Sequence, residues 1–209
     1  MSSSEKLDLL KLHRAEYRAT SRPVLVEVEN GSFIRVRGHG APGSELFQQR
    51  VEALYAVAYT LKFNSKFAGR DYGVSKLEGL FGVDGQSIDE IAEIDPSEWN
   101  WRLVIRVPEF TTQEHLEQAR ATLRDKGKTG DFDAVSLESF HEGTCVQMLH
   151  VGPYDREAAT LEEMRNFART RDLTPHLWHH EIYLSDPRRV PPERLRTILR
   201  LPLLIASPE

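Results

Sequence analysis

Glu78 and Glu181 stand where a charge is expensive. Glu78 sits in Lys76-Leu77-Glu78-Gly79-Leu80 and Glu181 in His180-Glu181-Ile182-Tyr183-Leu184, each in the middle of a short apolar run. The flanking residue types are those of β-strands. A carboxylate in such a strand must find an ionic partner, face a ligand, or hold a proton, because burying a bare charge is costly. All three outcomes are open: a salt bridge to Lys76, Arg102, Arg106 or a histidine, a cleft awaiting a cationic ligand, or a general acid–base pair. In the last case two carboxylates sharing one apolar cleft drive one pKa upward, which suits a proton donor near neutral pH. Aromatic residues gather around the same strands. Tyr55 and Tyr59 are one helical turn apart, and Phe81, Trp99, Trp101, Trp178 and Tyr183 lie on or beside the glutamate runs. Aromatic faces attract organic cations by roughly 0.5–2 kcal/mol each. For any one of these rings a plain core role is the simpler reading; their concentration near two glutamates favours a binding cleft.

Other chemistry is weakly signalled. In a strand, His179 and His180 point to opposite faces, so they cannot grip one ion together, and no HExxH spacing occurs. No metal site is expected. Cys145 is the single cysteine, so no internal disulfide can form, and a buried structural thiol is the default. Ser185-Asp186 lacks a G-x-S-x-G setting, and Gly38-His39-Gly40 lacks the rest of a dinucleotide fingerprint. No cofactor is expected.

The elements that must position the glutamates read as two copies of one unit. The first runs from Ile34-Arg35-Val36-Arg37-Gly38-His39-Gly40 through a helical segment to the Glu78 run and Val104-Ile105-Arg106-Val107-Pro108. The second runs from Met148-Leu149-His150-Val151-Gly152-Pro153 to the Glu181 run and Ile198-Leu199-Arg200-Leu201-Pro202. Each is strand, glycine turn, helix, strand, strand, a unit unable to bury its apolar face alone. Around this core, residues 5–18 suggest a peripheral helix, and Asn30-Gly31 signals a hairpin between strands at 24–29 and 32–37. Phe47, Val51, Leu54, Tyr55, Ala58 and Leu61 give one apolar helix face after Ser44. A strand is expected over 71–83, an acidic surface connection over 84–97, and a strand over 99–107. A capping box at Thr111-Thr112-Gln113-Glu114 starts a helix that runs to about Lys126. Gly127 to Gly130 joins the halves, and a helix over 155–169 turns Ala158, Leu161, Met164 and Ala168 inward. The expected fold is α+β, an antiparallel sheet with helices packed on one side. Residues 1–20 form a peripheral segment and 21–209 one domain, with pseudo-repeats over about 22–126 and 131–209. Pseudo-twofold packing of the copies would set Glu78 and Glu181 around a shared cleft.

Composition narrows the partners. The chain of 209 residues has a net charge of −5, against the basic stripe of a nucleic-acid binder. Its longest apolar run, 53–59, is far short of the roughly 20 residues that span a bilayer, and the N-terminal residues lack the apolar centre of a signal peptide. Neither nucleic acid nor membrane is expected as a partner, and a reducing, cytoplasmic setting fits the lone cysteine.

The runs at 72–80, 99–108, Glu142-Gly143-Thr144-Cys145-Val146-Gln147, His150-Val151-Gly152-Pro153-Tyr154-Asp155 and 179–189 resemble the GyrI-like small-molecule-binding family. The likeness covers nearly all of the chain after about residue 20, and its H-H-E-I-Y-L-S-D-P-R-R run is specific. It implies two βαββ modules related by pseudo-twofold symmetry with a ligand cleft between them. It also implies likeness to the effector-binding halves of multidrug-sensing activators, which capture bulky aromatic cations with a glutamate and an aromatic wall. Members without a DNA-binding module include polyspecific drug binders, and others resemble hydrolases that open the cyclopropane ring of DNA-alkylating natural products by adding water. The resemblance carries Glu181, Glu78, Tyr55, Trp101 and Tyr183 into the cleft, and the aromatic reading adds Tyr59 and Phe81. The leading expectation is a stand-alone binder of lipophilic, often cationic, aromatic compounds. A cyclopropane-opening hydrolase using Glu181, Glu78 and Tyr55 comes second. A protein-binding topoisomerase inhibitor ranks last, because the acidic residues are spread along the chain, and no protein partner is expected. Where family members often carry two tryptophans after the L-E-G-L box, this chain has Phe81-Gly82, which reshapes the cleft and weighs on the hydrolase reading more than on binding.

Overall fold

The two glutamate strands lie side by side at the centre of one sheet. The structure, a computed structural model, describes residues 6–83, 85, 94–176 and 178–204. Its strands are β1 (Val24–Val28), β2 (Gly31–His39), β3 (Leu77–Gly82), β4 (Asn100–Arg106), β5 (Ser136–Phe140), β6 (Gly143–Val151), β7 (His179–Tyr183) and β8 (Arg196–Pro202). The helices are α1 (Leu9–Leu12), α2 (Glu45–Phe67), α3 (Gln113–Asp125) and α4 (Glu157–Arg169). All eight strands join one sheet in the order β1-β6-β8-β7-β3-β4-β2-β5, and each pairing is antiparallel. That order is symmetric about the β3–β7 pair: β2-α2-β3-β4 and β6-α4-β7-β8 are the two βαββ modules.

β1 and β5 are exchanged between the modules, since β1 pairs with β6 and β5 with β2. The expected hairpin at Asn30-Gly31 is therefore absent. Only three residue steps separate Val28 from Gly31, a reach of roughly 11 Å, yet β1 and β2 lie far apart in the strand order. Strands spaced about 4.8 Å apart allow this only if the sheet curls until its ends meet. Side chains reinforce the two exchanged pairings: Ser139 Oγ donates to Asn30 Oδ1 beside β2 and β5, and Thr144 Oγ1 to Glu27 Oε2 between β6 and β1.

Helices cover the outer face. Ser44 caps α2 by accepting from the Phe47 amide, and its buried stripe Ala53, Leu54, Val57, Ala58 and Leu61 packs on Ile34, Val36, Leu103 and Ile105. The capping box of α3 sits one residue later than expected: Thr112 is the cap, and His115 Nδ1, not a Glu114 carboxylate, accepts from the Thr112 amide. Met164 and Ala168 of α4 pack on Val146, Met148, Leu199 and Leu201. α2 lies over β2 and β4, and α4 over β6 and β8, so the central strands β3 and β7 lie beneath the gap between them.

The inner face is filled by the N-terminal segment expected at the periphery. Leu9, Glu16 and Tyr17 are buried. Gln147 Nε2 donates to the Ala15 and Arg18 carbonyls, and Arg200 Nη2 to that of Glu16. A curled sheet leaves a concave side that must be covered, and with every helix longer than one turn on the outside this strap is what covers it. Of residues 71–83, only 77–82 form strand. Most of the acidic connection at 84–97 lies outside the described residues.

Candidate functional site

Register decides what each glutamate can do. β3 and β7 pair with Glu78 opposite Ile182 and Gly79 opposite Glu181. Paired residues share a face and neighbours alternate, so Glu78 points inward and Glu181 outward, with no shared cleft. Inside, Tyr17 Oη donates to Glu78 Oε1 at 2.6 Å, and His180 Nε2 lies 3.0 Å from Glu78 Oε2. The other ring nitrogen of His180 lies 2.9 Å from Glu142, which also accepts from Arg200 Nη1 at 2.6 Å. Burial opposes the His180 charge, but the carboxylates of Glu142 and Glu78 outweigh it and hold the imidazole pKa up at about 9. Burial likewise opposes ionisation of Glu142, and His180 and Arg200 overcome it, bringing the carboxyl down to about 2. Glu78 is thus a member of an internal ionic network that also takes in the Arg106–Glu16 pair through Tyr17.

Outside, Glu181 meets different company. His179 Nε2 lies 2.9 Å from Glu181 Oε1, and Tyr183 Oη donates to Oε2 at 2.7 Å. Both partners are two residues away on the same face of β7. Among the described residues no lysine or arginine pairs with Glu181. Across the strand boundary stands Gly79, where a Cβ would lie 2.5 Å from the Phe81 ring and 3.1 Å from Tyr183 Oη. A glycine is required there so that both rings can lie flat over β3. Phe81 stacks on His179 with centroids 5.6 Å apart, and Trp99 meets both rings edge-on.

A second carboxyl completes the site. Glu157, in the first turn of α4, is only 5% exposed. Burial, and then the neighbouring Glu181 charge, push its pKa up to about 10. Its Oε1 is buried without a hydrogen-bond partner, as is Oγ1 of Thr197, the residue opposite Tyr183 on β8. Tyr154 sets its ring edge-on to Tyr183 at 5.7 Å. Burial and the carboxylates around it raise the Tyr154 phenol to about 12, and the same causes hold Tyr183 well above its usual range. Near neutral pH the outer site therefore holds a protonated carboxyl beside Glu181, with two neutral phenols able to donate. Such unequal carboxyl pairs are the usual arrangement for general acid–base work.

The GyrI-like small molecule binding domain profile matches residues 113–204. An uncharacterized conserved protein from Listeria innocua is 38% identical, with a TM-score of 0.87, over 95% of this chain and 100% of its own. A hydrolase encoded by lin2189 of the same organism is 38% identical, with a TM-score of 0.85, over 96% of this chain and 100% of its own. The chain belongs to the GyrI-like family. The C-terminal domain of EcmrR, 11% identical over 88% of this chain and 98% of its own, has a TM-score of 0.60 and shares the fold. No curated protein matches the chain in sequence.

In this GyrI-like protein the outer site unites three of the expected residues, Glu181, Tyr183 and Phe81. Tyr55 and Tyr59 stack on one another along α2, with centroids 6.3 Å apart. Tyr55 is near enough to Asp186 and Arg188, just beyond β7, for their charges to act on its phenol, while Tyr59 is 51% exposed. Two expectations are corrected. Glu78 faces the other side of the sheet. Trp101 is a core residue, 1% exposed, with its ring over Gly38, its edge against Phe47 and its indole N–H donated to the Gly40 carbonyl. Glu157, Tyr154, His179 and Thr197 are additions. Glu157 is not singled out by the sequence because an acid in a first helical turn normally serves the helix dipole, and it takes the inward position expected for Ala158. Glu157, Met164, Arg165 and Ala168 are buried, whereas Ala158 is exposed.

Proposed function

We propose that this GyrI-like protein is a hydrolase of lipophilic aromatic small molecules, and that water adds to the substrate in the outer site between α2 and α4. The observation that carries the reading is the unequal pair of Glu157 and Glu181 over β7, one carboxyl held protonated by burial and the other fixed by His179 and Tyr183. The description of the Listeria innocua protein as a hydrolase, at 38% identity over its whole length, supports it. For a substrate with a cyclopropane conjugated to a ring carbonyl, Glu181 takes a proton from water as its oxygen bonds to the outer cyclopropane carbon. The breaking carbon–carbon bond sends its electron pair through the ring to the carbonyl oxygen, which takes the proton from Glu157 and becomes a phenol hydroxyl. Both glutamates exchange their protons with water to complete the cycle. General acid–base assistance of this kind is worth roughly 10²–10⁴-fold. Aromatic walls at Phe81, Tyr183, Tyr154 and the Tyr55–Tyr59 stack would hold the flat substrate. Incubation with such a cyclopropane compound, followed by mass spectrometry for the hydrated product, tests the reading. Product forming no faster than in buffer would refute it.

Capture of lipophilic cations without turnover is the second reading, favoured by a Glu181 that has no lysine or arginine partner among the described residues. Titration with a cationic dye and a neutral dye of the same shape separates the two. Preference for the cation, abolished by Glu181→Gln, together with no hydrated product, would establish capture in place of hydrolysis.

A further inference from the structure

The N-terminal strap leaves a hollow of about 440 Å³ where it passes the end of β7, lined by Leu10, Lys11, Arg14, Tyr17, Arg18 and Leu184. The floor is apolar: Leu10 and Leu184 pack against the cluster of Tyr17, Ile182 and Ile198. The Tyr17 hydroxyl is committed to Glu78, so the phenol offers the hollow its ring and not its proton. The rim is basic. Residues 6–22 hold five lysines and arginines against two acids, in a chain whose net charge is −5. Both acids are occupied, Asp8 in capping α1 and Glu16 with Arg106 and His13. Lys11 stands 4.0 Å from Asp8 with its side chain 87% exposed. The guanidinium groups of Arg14 and Arg18 have no ionic or hydrogen-bond partner among the described residues. Lys76 adds a further charge beside the hollow, its Nζ donating to the Leu184 carbonyl at 3.1 Å.

From this geometry we infer a second binding site, for an amphipathic organic anion: a carboxylate on a saturated hydrocarbon chain, its charge between Arg14 and Arg18 and its chain across Leu10 and Leu184. Guanidinium forks suit a carboxylate, which can take two parallel hydrogen bonds from one arginine. Leucine walls with a single ring among them suit a chain better than a flat aromatic, which gains most from faces to stack on. The volume lies in the usual range for small-molecule sites. A ligand held here bridges the strap and β7, and so stabilises the folded chain by mass action. The inference does not depend on the reaction proposed for the outer site.

Calorimetric titration of the full chain with decanoate, decanol and acetate tests it. Decanoate binds with one-to-one stoichiometry and about tenfold tighter than decanol, while acetate, the head without the chain, gives no heat at millimolar concentration. Arg14→Gln and Arg18→Gln each weaken decanoate several-fold and together by about tenfold, the scale of two exposed ion pairs. Added salt weakens the wild-type protein toward the double variant. Because neither guanidinium has a partner among the described residues, the double variant keeps the wild-type unfolding midpoint without ligand, and decanoate raises that midpoint much less than in the wild type. Glu181→Gln leaves decanoate binding unchanged, which separates this site from the outer one. Equal affinity for decanol, no decanoate heat at millimolar concentration, or full decanoate binding by the double variant would overturn the inference. So would loss of decanoate binding in Glu181→Gln, or sedimentation of the protein with anionic vesicles in place of decanoate binding, which would make the basic rim a membrane contact.

Discussion

Replacing Glu157 by glutamine should make the protein more stable and less active at once. The ordinary carboxyl pKa of 4.5 rises to about 10 at Glu157 in the folded protein. A folded-state pKa above the unfolded one means that the unfolded chain gives up the proton first. The associated stability is complete below pH 4.5 and is lost progressively as pH climbs toward 10. At pH 7.5 that is three pH units at about 1.4 kcal/mol each, a ceiling of about 4 kcal/mol. Glutamine has the same shape and cannot ionise, so the variant escapes the loss. Thermal unfolding at pH 7.5 should show a midpoint higher by about 4–16 °C, the scale for 2–4 kcal/mol in a chain of this size. Near pH 4.5 the two proteins should unfold together. Glutamine cannot deliver a carboxyl proton, so hydration of a cyclopropane substrate should drop by roughly 10²–10⁴-fold. Such opposition between stability and activity marks a residue held in an unfavourable state for function. A gain that does not depend on pH would refute the raised pKa, and full activity in Glu157→Gln would remove the residue from the chemistry.

Three further outcomes follow from the same geometry. Gly79→Ala should cost about 1–3 kcal/mol by overpacking, measurable by urea unfolding, and should impair the outer site because the added methyl meets Phe81 and Tyr183. The two glutamates should separate cleanly. Glu78→Gln should lose about 3–5 kcal/mol by breaking a buried ionic contact while a folded fraction still binds dye, and Glu181→Gln should keep its fold and lose the outer-site ligand. The internal network should shape alkaline stability: with the His180 pKa raised from 6.5 to about 9, its contribution is complete below pH 6.5 and is lost as pH passes 9. In a Glu157→Gln background, and below the range where the raised Cys145 thiol and tyrosine phenols act, unfolding free energies that stay flat from pH 6.5 to pH 8.5 would contradict this.

Most of the architecture was legible because it is carried by repetition. Two glycine turns, two glutamate runs and two Arg-Val-Pro-like boxes gave the modules, and the symmetric strand order follows from them. The exchange of β1 and β5 was not legible, because Asn-Gly after an alternating strand favours a tight turn locally and only closure of the whole sheet overrides it. The site was half legible. Glu181 and Tyr183 stand out by type and spacing. The pairing of Glu78 with Glu181, by contrast, failed on a single residue of register, since Gly79 rather than Glu78 is opposite Glu181, and one step moves a side chain through the sheet. Trp101 looked like a cleft residue because aromatic type says nothing about which ring lies under a helix. Glu157 was invisible because its role comes from a partner far away in sequence.

The failure of register also explains how the outer site is held in place. β7 alternates His179, His180, Glu181, Ile182 and Tyr183, so its odd residues form the outer site and its even residues meet the inner core. His180 is fixed between Glu78 and Glu142, and Ile182 packs with Tyr17 and Ile198. A strand gripped on one face by two carboxylates and an apolar cluster cannot rotate, so His179, Glu181 and Tyr183 reach the other face in fixed positions. The inner glutamate therefore acts only through the fold: with Glu142 it holds His180, and so the strand that carries Glu181 on its other face. A catalytic pair needs this kind of support, because general acid–base chemistry fails when the two groups drift by about an ångström.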